Sequence, residues 1–328
     1  MKFLIPNYLA PDSFSENVVF TLQRMGHSVV SLPATDWGSL RMRLYRRKNN
    51  VLKRLVREYV SAEHETALAL AREHKPEVVL SLTHPLPPSI LRHMKLAGVR
   101  HRMIWWGDAL ANQTQLGLLT DEWDYVFSKD PDGVAKLRRV GLNAHLLFEA
   151  MNPEWHKPMA SRCNDAIAVV GNPYGYRQFL VKRLVDAGFQ VDAYGGAPPR
   201  WSLPEFERSH LRRIVVKEEK SRIFGEALAC LNNMQFSEGN SLNCRTFEVA
   251  GAAGLQLIEH RPVIERCFEP GEEILVYDSL PELFGHLERA KKDPRRATEI
   301  REAGHRRALA EHTYRHRIQQ IEKLLGSS

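Results

Sequence analysis

The stretch Ser237-Glu238-Gly239-Asn240-Ser241-Leu242-Asn243-Cys244-Arg245-Thr246-Phe247-Glu248 gathers amide, guanidinium and carboxylate groups in one short segment. Asparagine is a strong helix N-cap, so Asn243 predicts a helix starting at Cys244. Arg245, Thr246 and free backbone amides then fall in its first turn, with Glu248 one turn further on. Amides and a guanidinium at a helix start suit a diphosphate, and a carboxylate one turn away suits the paired hydroxyls of a ribose. Glu248 has a plainer reading too, as an early-turn acid favoured by the helix dipole. A second candidate lies upstream, where the apolar run Ile167 to Val170 leads into Gly171-Asn172-Pro173-Tyr174-Gly175 and Arg177 opens a helix. A strand, a tight turn and a helix start point unsatisfied N–H groups at one spot, the geometry of an anion site. Many such units carry no ligand.

The first half of the chain offers other groups. Asp108 follows the strand-like HRMIWW, and ligands of doubly wound sheets bind beyond strand C-termini. There a carboxylate could take a proton from an acceptor hydroxyl, or it could cap a helix from Ala109 onward. His84, in Ser81-Leu82-Thr83-His84-Pro85, also sits just past a strand, either as an acceptor-side contact or as an ordinary core or surface histidine. Residues 40–57 (LRMRLYRRKNNVLKRLVR), which include Arg46, Arg47 and Lys48, carry eight Arg or Lys and no acid. Leu40, Leu44, Tyr45, Val51 and Leu55 recur there at near-helical spacing. The segment is either a solvated helix with its apolar stripe on the core, or a docking surface for phosphates, nucleic acid or an anionic membrane. Asp130-Pro131-Asp132 mimics a metal-binding D-x-D, but Asp before Pro is how a helix begins. With no HExxH among the histidines, neither metal nor cofactor is expected.

The elements that would position these groups form two series. Short apolar runs at Phe3–Ile5, Ser28–Leu32, Glu77–Leu82, Arg102–Trp106, Tyr125–Phe127 and Ala144–Phe148 alternate with helical patterns closed by Gly26, Gly98 and Gly141. The pattern restarts at Ala166–Val170, with a helix over Tyr176–Ala187 and a strand over Phe189–Tyr194. Alternation of this kind is the signature of β-α-β units on parallel sheets. The polar, Pro-bearing stretch Met151 to Asn164 reads as the linker between two doubly wound domains.

Length and composition agree. At roughly 150 residues per domain, 328 residues suggest two domains. An apolar fraction of 43% rules out a disordered chain. Cys163, Cys230, Cys244 and Cys267 form no CxxC pair, so free thiols in a reducing cytosol are expected. The amino terminus is broken by Pro6 too early for a signal peptide, and no run reaches the roughly 18 apolar residues of a membrane span. The formal net charge of +7 favours anionic partners.

The run Asn243-Cys244-Arg245-Thr246-Phe247-Glu248-Val249-Ala250-Gly251-Ala252-Ala253-Gly254 resembles the donor-site helix of group 1 glycosyltransferases, in the CgeB-like, spore-maturation-protein-like branch. The resemblance continues, in order and spacing, through Cys267 to Glu273, Tyr277 to Leu283, Ala303-Gly304-His305 and Glu311 to Arg317. It is looser at Trp105 to Asp108, Asp124 to Phe127 and Leu137 to Gly141. It implies an α/β glycosyltransferase-B fold: two Rossmann-like domains facing a cleft, with a C-terminal helix crossing back onto the first. On that reading residues 1–158 form the acceptor-side domain, 159–305 the nucleotide-sugar domain and 306–328 the returning helix. The resemblance implies that Arg245 with nearby amides binds the diphosphate and Glu248 the ribose; the residue readings above add Gly171, Asn172, Arg177, Asn243 and Thr246 to the donor site. Glu238 stands for the first glutamate of a pair that the family separates by seven residues; here nine intervene, and a simple loop acid is the other reading. Together with the residue readings above, this predicts a metal-independent transferase, cytoplasmic or peripheral at the membrane, using a UDP- or dTDP-sugar and an acceptor hydroxyl on a glycan, lipid, protein or modified DNA. Retention would need no strong base; inversion would employ Asp108. A nucleotide-sugar epimerase on the same fold, or a nucleic-acid-binding protein gripping phosphates through residues 40–57, are the competing classes.

Overall fold

The computed structural model describes residues 1–33, 40–56, 58–113, 117–159 and 164–326; within them the side chains at 40–43, 46, 50, 53 and 54 lie outside the description. The chain groups into two compact units, Met1–Leu147 and Phe148–Ser328.

The first unit contains β1 (Lys2–Ile5), α1 (Phe14–Arg24), β2 (Ser28–Ser31), α2 (Leu40–Leu55), α3 (Ala62–His74), β3 (Val78–Leu82), α4 (Pro88–Leu96), β4 (His101–Trp106), β5 (Tyr125–Ser128), α5 (Pro131–Arg139) and β6 (Ala144–Leu146). Its six strands pair in parallel in the order β2-β1-β3-β4-β5-β6. The order reverses between β1 and β3, where a doubly wound sheet opens its crevice. Sequence signals set several boundaries. Ser13 caps α1 through the Glu16 amide, and Gly98 and Gly141 follow α4 and α5 with φ of 95° and 87°, values that favour glycine. The Asp130 side chain accepts from the Asp132 amide and Pro131 opens α5, so this D-x-D is a helix start.

The second unit contains β7 (Ile167–Val170), α6 (Gly175–Asp186), β8 (Val191–Tyr194), α7 (Pro204–Ser209), α8 (Lys217–Glu226), β9 (Ala229–Asn232), α9 (Cys244–Gly251), β10 (Gln256–Glu259), β11 (Leu275–Tyr277), α10 (Leu280–Lys292), α11 (Pro294–Glu311) and α12 (Tyr314–Gly326). Its parallel sheet runs β11-β10-β9-β7-β8, with the order reversing between β7 and β9. Alternation along β7 divides the core. Ile167 and Val169 pack with residues of α6 and α10, while Ala168 packs with Ile223 and Phe224 of α8 and Val249 of α9. Buried Arg301 on α11 donates to the carbonyls of Ala227 and Leu228 at 2.7 and 2.9 Å, tying that helix to the start of β9.

Two sequence expectations are corrected here. The stretch from Met151 is not an open linker. Met151 and His156 are fully buried, and Met151 accepts from the Tyr314 amide at 3.1 Å, so residues 148–158 fold with the second unit. Three apolar residues of the α2 stripe do not lie on a core: Leu44, Val51 and Leu55 are 55%, 57% and 75% exposed, while Tyr45 is half-buried and the Leu40 side chain lies outside the described residues. Helix α12 groups with the second unit, where Arg317 donates to the Phe148 carbonyl at 3.1 Å. No helix among the described residues is long and apolar enough to cross a membrane.

Candidate functional site

The crevice of the second unit lies beyond the C-terminal ends of β7 and β9. Gly171 leaves β7 with φ of 130°. A Cβ there would fall 2.6 Å from an Arg177 guanidinium nitrogen and 2.8 Å from one of Arg245. Glycine therefore serves twice, for its dihedral and for the space that lets two guanidiniums converge.

Arg177, in the first turn of α6, is 1% exposed. Its Nε donates to Asn233 Oδ1 at 2.9 Å, one Nη to the Asn172 carbonyl at 2.9 Å and the other to the Tyr174 hydroxyl at 3.0 Å, with the Tyr174 ring 4.5 Å beneath it. Burial, and then the charge of Arg245, push its pKa down. A guanidinium nevertheless keeps its proton at working pH, so an anion placed between the two arginines would relieve their repulsion. Arg245 stands in the first turn of α9, and its buried Nε has no hydrogen-bond partner. Orphaned buried donors are rare and call for a reason.

The N-terminus of α9 is built as the sequence predicts. Asn243 Oδ1 accepts from the Thr246 amide at 3.2 Å. Asn232, at the end of β9, donates to Asn243, Thr246 and Gln256 side chains at 3.2, 3.1 and 3.0 Å. Thr246 is thus a buried part of the frame that fixes the helix start. Glu238 lies in a 3-10 turn, and its carboxylate accepts from the Ser241 hydroxyl at 2.6 Å. Glu248, 2% exposed, accepts from Lys220 Nζ of α8 at 2.8 Å and has His156 Nε2 at 3.8 Å. Sequence reasoning missed Lys220, His156 and Asn233. Each reaches the site from a distant segment, and no local motif marks it.

The structure therefore brings Gly171, Asn172, Arg177 and Arg245 to one spot, beside the amides that Asn243 and Thr246 frame. In the first unit, Asp108 Oδ1 accepts from the Ala109 amide and Asn112 Nδ2 at 2.8 and 3.0 Å, the bonds of a turn cap. His84 follows β3 at that sheet's own crevice, its ring 5.3 Å from that of buried His64. Arg47 and Lys48 are exposed on α2, while the Arg46 side chain lies outside the described residues.

Residues 177–323 match the family described as "Glycosyl transferase-like". The chain has the GT-B fold. Among solved structures, the chain aligns with sucrose-phosphate synthase from Thermosynechococcus elongatus at a TM-score of 0.71 and 14% identity, over 99% of this chain and 98% of the other. It aligns with Anabaena HepE in complex with UDP-glucose at 0.70 and 11% identity, over the full length of both chains. The DNA-modifying enzyme β-glucosyltransferase aligns at 0.57 and 14% identity, over 98% of each chain. No curated protein matches the chain in sequence. The matched stretch begins at Arg177 and contains Arg245 and Glu248, so the convergent arginines fall within it.

Proposed function

We propose that this protein is a glycosyltransferase, which takes its sugar from a uridine diphosphate donor held by the second unit and passes it to an acceptor hydroxyl. The observation that carries the reading is the pair of guanidiniums converging on Gly171 at the start of α9. Two arginines and the positive end of a helix supply charge compensation for a leaving diphosphate, the part of the transition state where charge develops. The complex of HepE with UDP-glucose supports uridine as the base. The motif order from Asn243 to Arg317 supports the CgeB-like branch of the family.

On this reading the transferase needs no divalent cation. UDP release from UDP-glucose, measured beside dTDP-, GDP- and ADP-glucose, is expected to be fastest for the uridine donor and to persist in EDTA. Loss of turnover in EDTA, restored by Mn²⁺ or Mg²⁺, would refute the arginine-based mechanism. Equal turnover of all four donors would refute the uridine assignment.

The acceptor side is proposed to include α2 as a contact for an anionic acceptor. Residues 40–57 hold eight basic residues and no acid. Leu44, Lys48, Val51 and Leu55 fall on one exposed face of the helix. Apolar and basic residues exposed together suit a lipid headgroup surface better than nucleic acid. Neutralising Arg46, Arg47, Lys48 and Arg54 together is expected to raise the acceptor KM and flatten its salt dependence, because exposed charges are screened beyond about 10 Å at 0.1 M salt. The donor KM should stay the same. Michaelis constants at two ionic strengths check this, and an unchanged acceptor KM would return α2 to a solvated helix.

A further inference from the structure

Phe236 is 83% exposed although it belongs to the turn that leads from β9 toward α9. Its ring lies on that of Tyr176, with centroids 4.7 Å apart and planes inclined at 35°. Tyr176 is half-buried against the α6 side of the core and immediately precedes Arg177. Burial, then the Glu259 carboxylate, push the Tyr176 hydroxyl pKa up. The same carboxylate accepts from the Met234 amide at 3.4 Å. Further along, Arg261 donates to the Gly239 carbonyl and Asn240 accepts from the Val263 amide at 3.1 Å. The segment that carries Phe236 is thus held from the end of β10, and the exposed ring is presented in a fixed place on Tyr176, the residue before Arg177.

The two faces of the sheet give this pair a direction. Glu248 and its partner Lys220 belong to α9 and α8, on one face. Tyr176 belongs to α6, on the other face. A nucleoside diphosphate sugar whose ribose lies toward Glu248 and whose phosphates lie at Gly171 leaves its sugar on the α6 side. We propose that Phe236, backed by Tyr176, is the platform for the apolar face of the transferred pyranose ring. This inference rests on the donor-site reading above. Aromatic rings offer large, rigid apolar area, and an open platform leaves the sugar hydroxyls free for other groups.

Calorimetric titration of the full chain with UDP and with UDP-glucose tests it. Phe236 packs into no core, so Phe236→Ala should fold like the parent. It is expected to bind UDP within about twofold of the parent and UDP-glucose about tenfold more weakly, a change of about 1.4 kcal/mol. Phe236→Trp should restore UDP-glucose binding. Equal losses for both ligands would make the ring a nucleobase contact and overturn the proposal. So would unchanged binding of both with a raised acceptor KM, the signature of an acceptor contact. A parent protein that binds neither ligand would overturn the donor-site reading itself, and the platform with it.

Discussion

Arg245→Ala is expected to bind UDP roughly 10- to 100-fold more weakly than the parent, a loss of about 1.5–3 kcal/mol, the scale of a hydrogen bond to a charged group. The α9 cap does not depend on this side chain, since Asn243 and Thr246 make the bonds that start the helix. The loss should therefore appear in binding and not in folding. Arg177 is a poorer choice for the same experiment. It holds Asn172, Tyr174 and Asn233 in place, so its removal mixes local collapse with loss of charge. Arg245→Lys separates charge from shape. An ammonium keeps the positive charge but lacks the planar fork, so an intermediate affinity is expected. An Arg245→Ala protein that binds UDP as tightly as the parent would remove this residue from the site.

Lys220→Met is expected to cost about 3–5 kcal/mol of folding stability, because it leaves the carboxylate of Glu248 buried without its ammonium. The pair is close, at 2.8 Å, and both side chains are less than a tenth exposed. A buried pair replaced whole by apolar groups is often neutral. Lys220→Met combined with Glu248→Leu should therefore recover most of the loss. Urea unfolding of the two single variants and the double variant, read as a double-mutant cycle, measures the coupling. If Lys220→Met costs less than about 1 kcal/mol, the two charges are not coupled in solution as they are here. The double variant also separates stability from function. On the proposed donor reading, with Glu248 as the ribose carboxylate, it should fold well and still bind UDP poorly.

Local chemistry was the legible part of this molecule. Asn243 announces α9, Asp130-Pro131 announces α5, and Gly98 and Gly141 close their helices, because caps and positive φ depend on residues a few positions apart. Arg177 and Arg245 were each readable as residues at a helix start. Their convergence on Gly171 was not, since it depends on β7 and β9 being neighbours in the second sheet. Lys220 lies 28 residues from Glu248, and Asn233 lies 56 from Arg177, so only the folded chain pairs them. Periodicity also misled at α2. The spacing of Leu44, Val51 and Leu55 predicts a helix face and cannot say whether a core or solvent meets it. Polar, Pro-bearing composition likewise suggests a linker at Met151, where an isolated bridge to Thr313 instead ties the chain into the second unit.

The central claim is that the arginine pair beside Gly171 holds the diphosphate of the sugar donor. Calorimetric titration of the 328-residue chain with UDP in EDTA tests it most directly. The account predicts saturable binding at a single site, competed by UDP-glucose and weakened by added salt. Absence of any heat of binding with UDP or UDP-glucose, with or without added Mg²⁺ or Mn²⁺, would contradict it.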